Sequence, residues 1–153
     1  MAKKILAIVG AIVIVAFVVL GVTTCGIMKV ADEALKEREP QLRQYVQMTE
    51  ADQNVYVEKN MDELFAGISR EIKPDNAEID KEKFAQMEKD PAVRAAGIQL
   101  GRSLVATFII SSDAILKDLS DADKSKFQAE ADELEKRLET HSQLVNTYFP
   151  KEK

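Results

Sequence analysis

Few residues in this chain are of a type that could do chemistry, and their spacing rarely supports it. His141 is the one histidine among 153 residues. As a metal ligand it would need partners at ligand spacing, such as a second histidine one helical turn away, and the sequence offers none. It falls between Leu138 and Val145 on an apolar seam, where a histidine serves as a polar register-setter or a pH-sensitive packing element. Cys25, the one cysteine, could be lipidated, could bond to a partner, or could pack as a small apolar residue at a bilayer edge. One cysteine forms no disulfide within the chain, which suits a bacterial periplasm and a cytosol equally.

Asp121-x-Asp123-x-Ser125, followed by Asp132, has the outline of a calcium loop. Lys126 stands where such a loop needs glycine, and the twelfth position holds Asp instead of a bidentate Glu. The same acids sit where a helix must be capped, and capping is their expected use. Gly97-Ile98-Gln99-Leu100-Gly101 is a small-xxx-small pattern, which dimerises helices in lipid. Arg94, Gln99 and Arg102 place it in water instead, where Ala95, Ala96, Gly97 and Gly101 would let helices approach closely inside a bundle. Ala7, Gly10 and Ala11 could allow helix association within the apolar run described next. No nucleophile elbow, glycine-rich phosphate loop or paired-carboxylate arrangement can be read from spacing. No catalytic, cofactor-binding or metal-ligating residue is therefore assigned, and the expectation is a protein that is not an enzyme and has no cofactor.

The elements that carry these residues divide the chain in two. Ile5 to Val22 is an unbroken apolar run of 18 residues, 13 of them Ile, Leu, Val or Phe and the other five Ala or Gly. At roughly −0.3 to −0.6 kcal/mol per large apolar residue, its insertion into a bilayer is favourable by several kcal/mol. As a helix it spans about 27 Å, close to the hydrocarbon thickness. In lipid every backbone group must be satisfied within the segment, so a lone span must be helical. The run is longer than the apolar region of a secretory leader, and no Ala-x-Ala cleavage site follows it. Val22-Thr23-Thr24 before Cys25 fits a lipoprotein cleavage box poorly. An uncleaved anchor is the reading adopted. Cation counts on the two sides are nearly balanced, but a short tail opening with Lys3 and Lys4 has the form of a signal anchor, with its N-terminus in the cytoplasm and the domain outside.

Beyond the anchor the chain is acidic. Lys3 and Lys4 account for two of the 21 cations, so 19 face all 26 carboxylates, a formal charge of −7. Such a surface is repelled by nucleic acid and by anionic lipid head groups, so neither is expected as a ligand of the domain.

Apolar spacing predicts helices throughout. Residues 29–38 favour helix, and Pro40 should stop or kink that helix because proline pushes the preceding Glu39 out of helical geometry. Leu42, Tyr45 and Val46 open the next helix, and Thr49-x-x-Asp52 reads as a helix restart or a polar interruption. Val57, Met61, Leu64, Phe65, Ile68 and Ile72 continue one face to Lys73-Pro74-Asp75-Asn76, which ends it. A short helix at 81–89 buries little beyond Phe84 and Met87. Asp90-Pro91 starts the most apolar helix of the domain, predicted over 91–119 and placed at the centre because its apolar residues surround it. Ser120 to Asp123 cap the last helix, 121–148, whose seam runs through Phe127, Ala131, Leu134, Leu138, His141, Val145 and Tyr148.

The expected fold is all-α, a single N-terminal transmembrane helix followed by an antiparallel three- to four-helix bundle. The anchor occupies 1–28, the bundle 29–149 and a short tail 150–153. Two functions fit. The first is a non-catalytic, single-pass accessory subunit or scaffold of a bacterial inner-membrane complex, partnered by the bilayer through its N-terminal helix and by a membrane protein or a second copy of itself. The second is a membrane-anchored module for a lipid or other apolar ligand, held in a cavity lined by Phe108, Ile109 and Ile110.

Overall fold

Asp90 and Pro91 begin the helix on which the other elements are assembled. The structure, a computed structural model, describes residues 28–71 and 81–150. The apolar run 5–22, Cys25 and the 73–76 turn lie outside the described residues. Among those described, the helices are α1 (Met28–Gln47), α2 (Glu50–Glu71), α3 (Lys81–Lys89), α4 (Pro91–Ser111), the single turn α5 (Asp113–Leu116), α6 (Asp121–Asp132) and α7 (Leu134–Tyr148). The described residues form a helical bundle without strands.

Helix α4 is the hub. It packs most extensively on α6 and α7, then on α2, and it also touches α1, α3 and α5. Its length and composition would let it cross a membrane, yet 56% of its apolar window is buried inside the bundle, the condition of a core helix. Val93, Gly97, Leu100, Leu104, Val105 and Ile109 are among its buried residues, spread around the helix as a central position requires. Residue pairings give its direction relative to its neighbours. Glu58 on α2 meets Arg94 and Glu50 meets Arg102, while on the other side Arg137 meets Gln99 and Tyr148 meets Asp90. Both α2 and the α6–α7 pair therefore run antiparallel to α4.

Three boundaries differ from expectation, each for a physical reason. The first helix does not stop at Pro40: α1 runs through it to Gln47. An interior proline costs about 3 kcal/mol. Beyond it, Leu42 and Tyr45 are buried, and each large side chain removed from water returns about 1.5–3 kcal/mol. The packing wins. The break falls instead at Met48–Thr49, where the Thr49 hydroxyl accepts the Asp52 N–H at 3.2 Å and donates to the Asp52 carboxylate at 2.8 Å. Gln53, fully buried, seals this corner by donating to the Tyr45 carbonyl at 3.0 Å.

The central helix ends at Ser111 rather than 119, because Ser112 adopts an extended backbone (φ −93°, ψ 103°) and its N–H returns to the Ile109 carbonyl. Upstream, the hydroxyls of Thr107 and Ser111 each donate to the carbonyl four residues back, at 2.8 and 2.7 Å, competing with the helix's own bonds. Ile115 is buried all the same, carried there by the turn α5. The last helix is interrupted at Glu133. Near the break, Ser103 of α4 donates its hydroxyl at 2.6 Å to the Glu130 carbonyl, the acceptor that an uninterrupted helix would offer to the Leu134 N–H.

The buried side chains form two clusters. One joins Leu42, Tyr45, Val57, Val105, Ala106, Ile109, Ile115 and Phe127, with Tyr45 edge-on to Tyr56 at 5.5 Å. The other joins Phe84, Met87, Val93, Val145 and Phe149, so the short α3 buries the two residues expected of it. The caps follow the sequence: Asp90 accepts the Ala92 N–H at 2.8 Å, and Ser120 accepts the Asp123 N–H at 3.1 Å.

Candidate functional site

His141 is 3% exposed, on α7. A Cβ built on Gly97 of α4 would stand 3.7 Å from its Nε2, and 2.6 Å from Cε of Met61 on α2. The ring thus lies at a three-helix junction, and burial pushes its pKa below the usual 6.5. This is the packing role foreseen from its place on the seam.

The glycine pair of α4 works inside the bundle. A Cβ on Gly101 would come within 2.4 Å of Cγ1 of Val57, so both glycines let α2 approach α4 closely. The acids of the calcium-like stretch do not converge. Asp123 accepts from the Ser120 hydroxyl at 2.7 Å as part of the α6 cap, Asp121 is fully exposed, and Asp132 accepts from Gln128. Ile109 is a core residue, with Phe108 and Ile110 packed against the same cluster.

The structure adds an ion cluster that no spacing announced. Arg102 is 4% exposed although charged. Its Nη1 donates to Glu50 at 2.9 Å and to Asn54 at 3.1 Å, and its Nη2 donates to Glu130 at 2.8 Å. Glu130 also accepts from Arg137 Nη1 at 2.5 Å. The cluster therefore ties α2, α4, α6 and α7 together. Arg102 Nε is buried and has no partner among the described residues, a local cost. Arg102 keeps its charge, since its carboxylate partners outweigh burial and raise its pKa. Beside it, burial pushes the Tyr45 phenol up to about 12. The sequence signal for this cluster was weak: Arg102 is one of two arginines, with Arg94, in the most apolar helix. Such an arginine marks a buried charge only if a carboxylate faces it, and Glu50 and Glu130 are 52 and 28 residues away.

An open groove of about 550 Å³ lies between α2, α4 and α7. Ala92, Ala95, Ala96, Ile98 and Leu144 give it apolar walls, and Lys136, Arg137 and Thr140 stand along one side. The site geometry thus comprises one buried ionic clasp and one amphipathic groove. No protein-family model matches the chain, and no curated protein or solved structure matches it either.

Proposed function

We propose that the chain is a non-catalytic, single-pass membrane protein that serves as an accessory subunit or scaffold of a bacterial inner-membrane complex, with its helical bundle outside the cytoplasm. The supporting observation is the junction between run and bundle. Five residues separate Val22 from Met28, the first described residue of α1, and α1 is packed on the bundle through Leu42 and Tyr45. Whatever holds the apolar run therefore holds the bundle close by, in the manner of a fixed fitting more than a tethered enzyme. The functional groups with strong environments, Arg102, Glu130 and His141, all serve packing between helices. The surface charge of −7 turns nucleic acid away, so the partner is a protein reached through the span, the bundle or both.

Purification of the full chain from native membranes in mild detergent tests this reading. Stoichiometric recovery of a second membrane protein is expected. Recovery of the chain alone, monodisperse and without a partner, would overturn it.

A further inference from the structure

The groove between α2, α4 and α7 has a chemistry of its own. Its volume, about 550 Å³, lies within the range of about 300–1,000 Å³ usual for small-ligand sites. Its floor is built of alanines from the exposed face of α4, with Ile98 and Leu144 as larger apolar walls. Arg137 lines the groove with its donors unevenly spent. Nη1 alone serves Glu130, the Ser103 hydroxyl and the Gln99 carbonyl, at 2.5, 2.9 and 3.1 Å. The Nε–Nη2 edge has no partner among the described residues. That edge is the fork that grips a carboxylate in two parallel hydrogen bonds. Next to it, Lys136 is 77% exposed at its side chain and answers the one carboxylate of the lining, Glu133, at 3.3 Å.

We infer that this groove binds a single-chain anionic amphiphile, its carboxylate on the free edge of Arg137 and its acyl chain along Ala92, Ala95, Ala96, Ile98 and Leu144. The inference goes beyond the accessory-subunit reading and does not depend on it. The charge of −7 beyond the anchor repels an extended anionic surface. At this groove, by contrast, Lys136 and Arg137 stand against one lining carboxylate, Glu133, and local donors outweigh the distant charge. An apolar chain alone would be satisfied by the floor, and a small anion alone would be satisfied by the guanidinium. The lining presents both side by side, about 10 Å along the helix from Ala92 to Gln99. Arg137 is also bonded to the clasp around Arg102, so an occupant would sit on the same guanidinium that joins α7 to α4.

The test uses the full chain in nanodiscs of zwitterionic lipid, with ¹³C-labelled alanine methyls observed by NMR. Decanoate should shift the methyls of Ala92, Ala95 and Ala96 saturably, with decanol and decyltrimethylammonium at least about tenfold weaker, the loss expected without one charge-assisted bond. Acetate should be weaker still, lacking the chain. Ala95→Phe, at an exposed position away from the ion cluster, should abolish the shifts while the melting temperature holds. Arg137→Gln should bring decanoate down to the level of decanol. Equal responses to decanoate, decanol and the cationic amphiphile, or persistence of the decanoate response in Ala95→Phe, would overturn the inference. So would the absence of any decanoate shift.

Discussion

At the residue scale, the structure turns on a charge placed in the core. Arg102 and Glu50 form one ion pair but stand in different surroundings, 5% and 72% exposed at their side chains. Removing the buried partner takes the guanidinium donor from Asn54 and leaves Glu130 with Arg137 alone, whereas removing the exposed one leaves Arg102 still held by Glu130. Arg102→Ala should therefore cost about 3–5 kcal/mol, seen as a large fall in melting temperature. Glu50→Gln should cost less than about 1 kcal/mol. Similar losses from the two would show that the clasp does not depend on burial. His141 supplies the pH dependence. Its folded pKa lies below the unfolded 6.5, so the unfolded chain takes the proton first as pH falls. Stability is then lost from 6.5 downward until the folded ring also titrates. His141→Leu should flatten that limb in thermal melts taken on either side of 6.5. Glu50 and Asp90, held low by Arg102 and by the Tyr148 hydroxyl, act in a separate window. Their contributions are present above their ordinary 4.5 and 3.8 and disappear in stronger acid, so a limb beginning near 6.5 is assigned to the histidine.

At the element scale, the contact between α2 and α4 depends on two glycines of unequal tolerance. A methyl at position 97 meets the flexible end of Met61, which can swing away, while one at position 101 meets the stiff, branched Val57. Gly97→Ala should therefore be close to neutral, since the gain of about 1 kcal/mol in helix propensity offsets a small rearrangement. Gly101→Ala should destabilise by about 1–3 kcal/mol through overpacking. Val57→Ala in the Gly101→Ala background should recover part of that loss, and additive melting shifts in the double variant would refute the contact. The elements show where sequence was legible. Asp90-Pro91 and Ser120 to Asp123 are local signals with local causes, and the caps stand where those residues fall. The end of α4 and the break at Glu133 were not legible, because each involves hydroxyl groups of α4 whose choice of carbonyl depends on the folded geometry. Pro40 misled for a related reason. Its cost is local, but the burial of Leu42 and Tyr45 that outweighs it comes from contacts with distant helices.

At the scale of the whole molecule, an all-helical bundle around the helix that starts at Pro91 followed from periodicity, though not that helix's end at Ser111, because apolar residues on most sides of one helix require neighbours on most sides. The ionic clasp and the groove did not, since both are assembled from residues distant in sequence. Leu104, buried on the central helix, makes the dependence explicit. Leu104→Asp should abolish cooperative unfolding of the full chain, and a wild-type melting curve would remove α4 from the centre. The same helix is apolar enough to be mistaken for a membrane span, so the division of the chain into a lipid-embedded run and a water-borne bundle is the central claim. It is tested most directly by single cysteines at Val13 and Gln99 in a Cys25→Ser background, probed in native membranes with a membrane-impermeant maleimide. The account predicts rapid labelling at Gln99 and labelling at Val13 only after denaturation in detergent. Equal labelling at the two positions in native membranes, or protection of Gln99 with labelling of Val13, would contradict it.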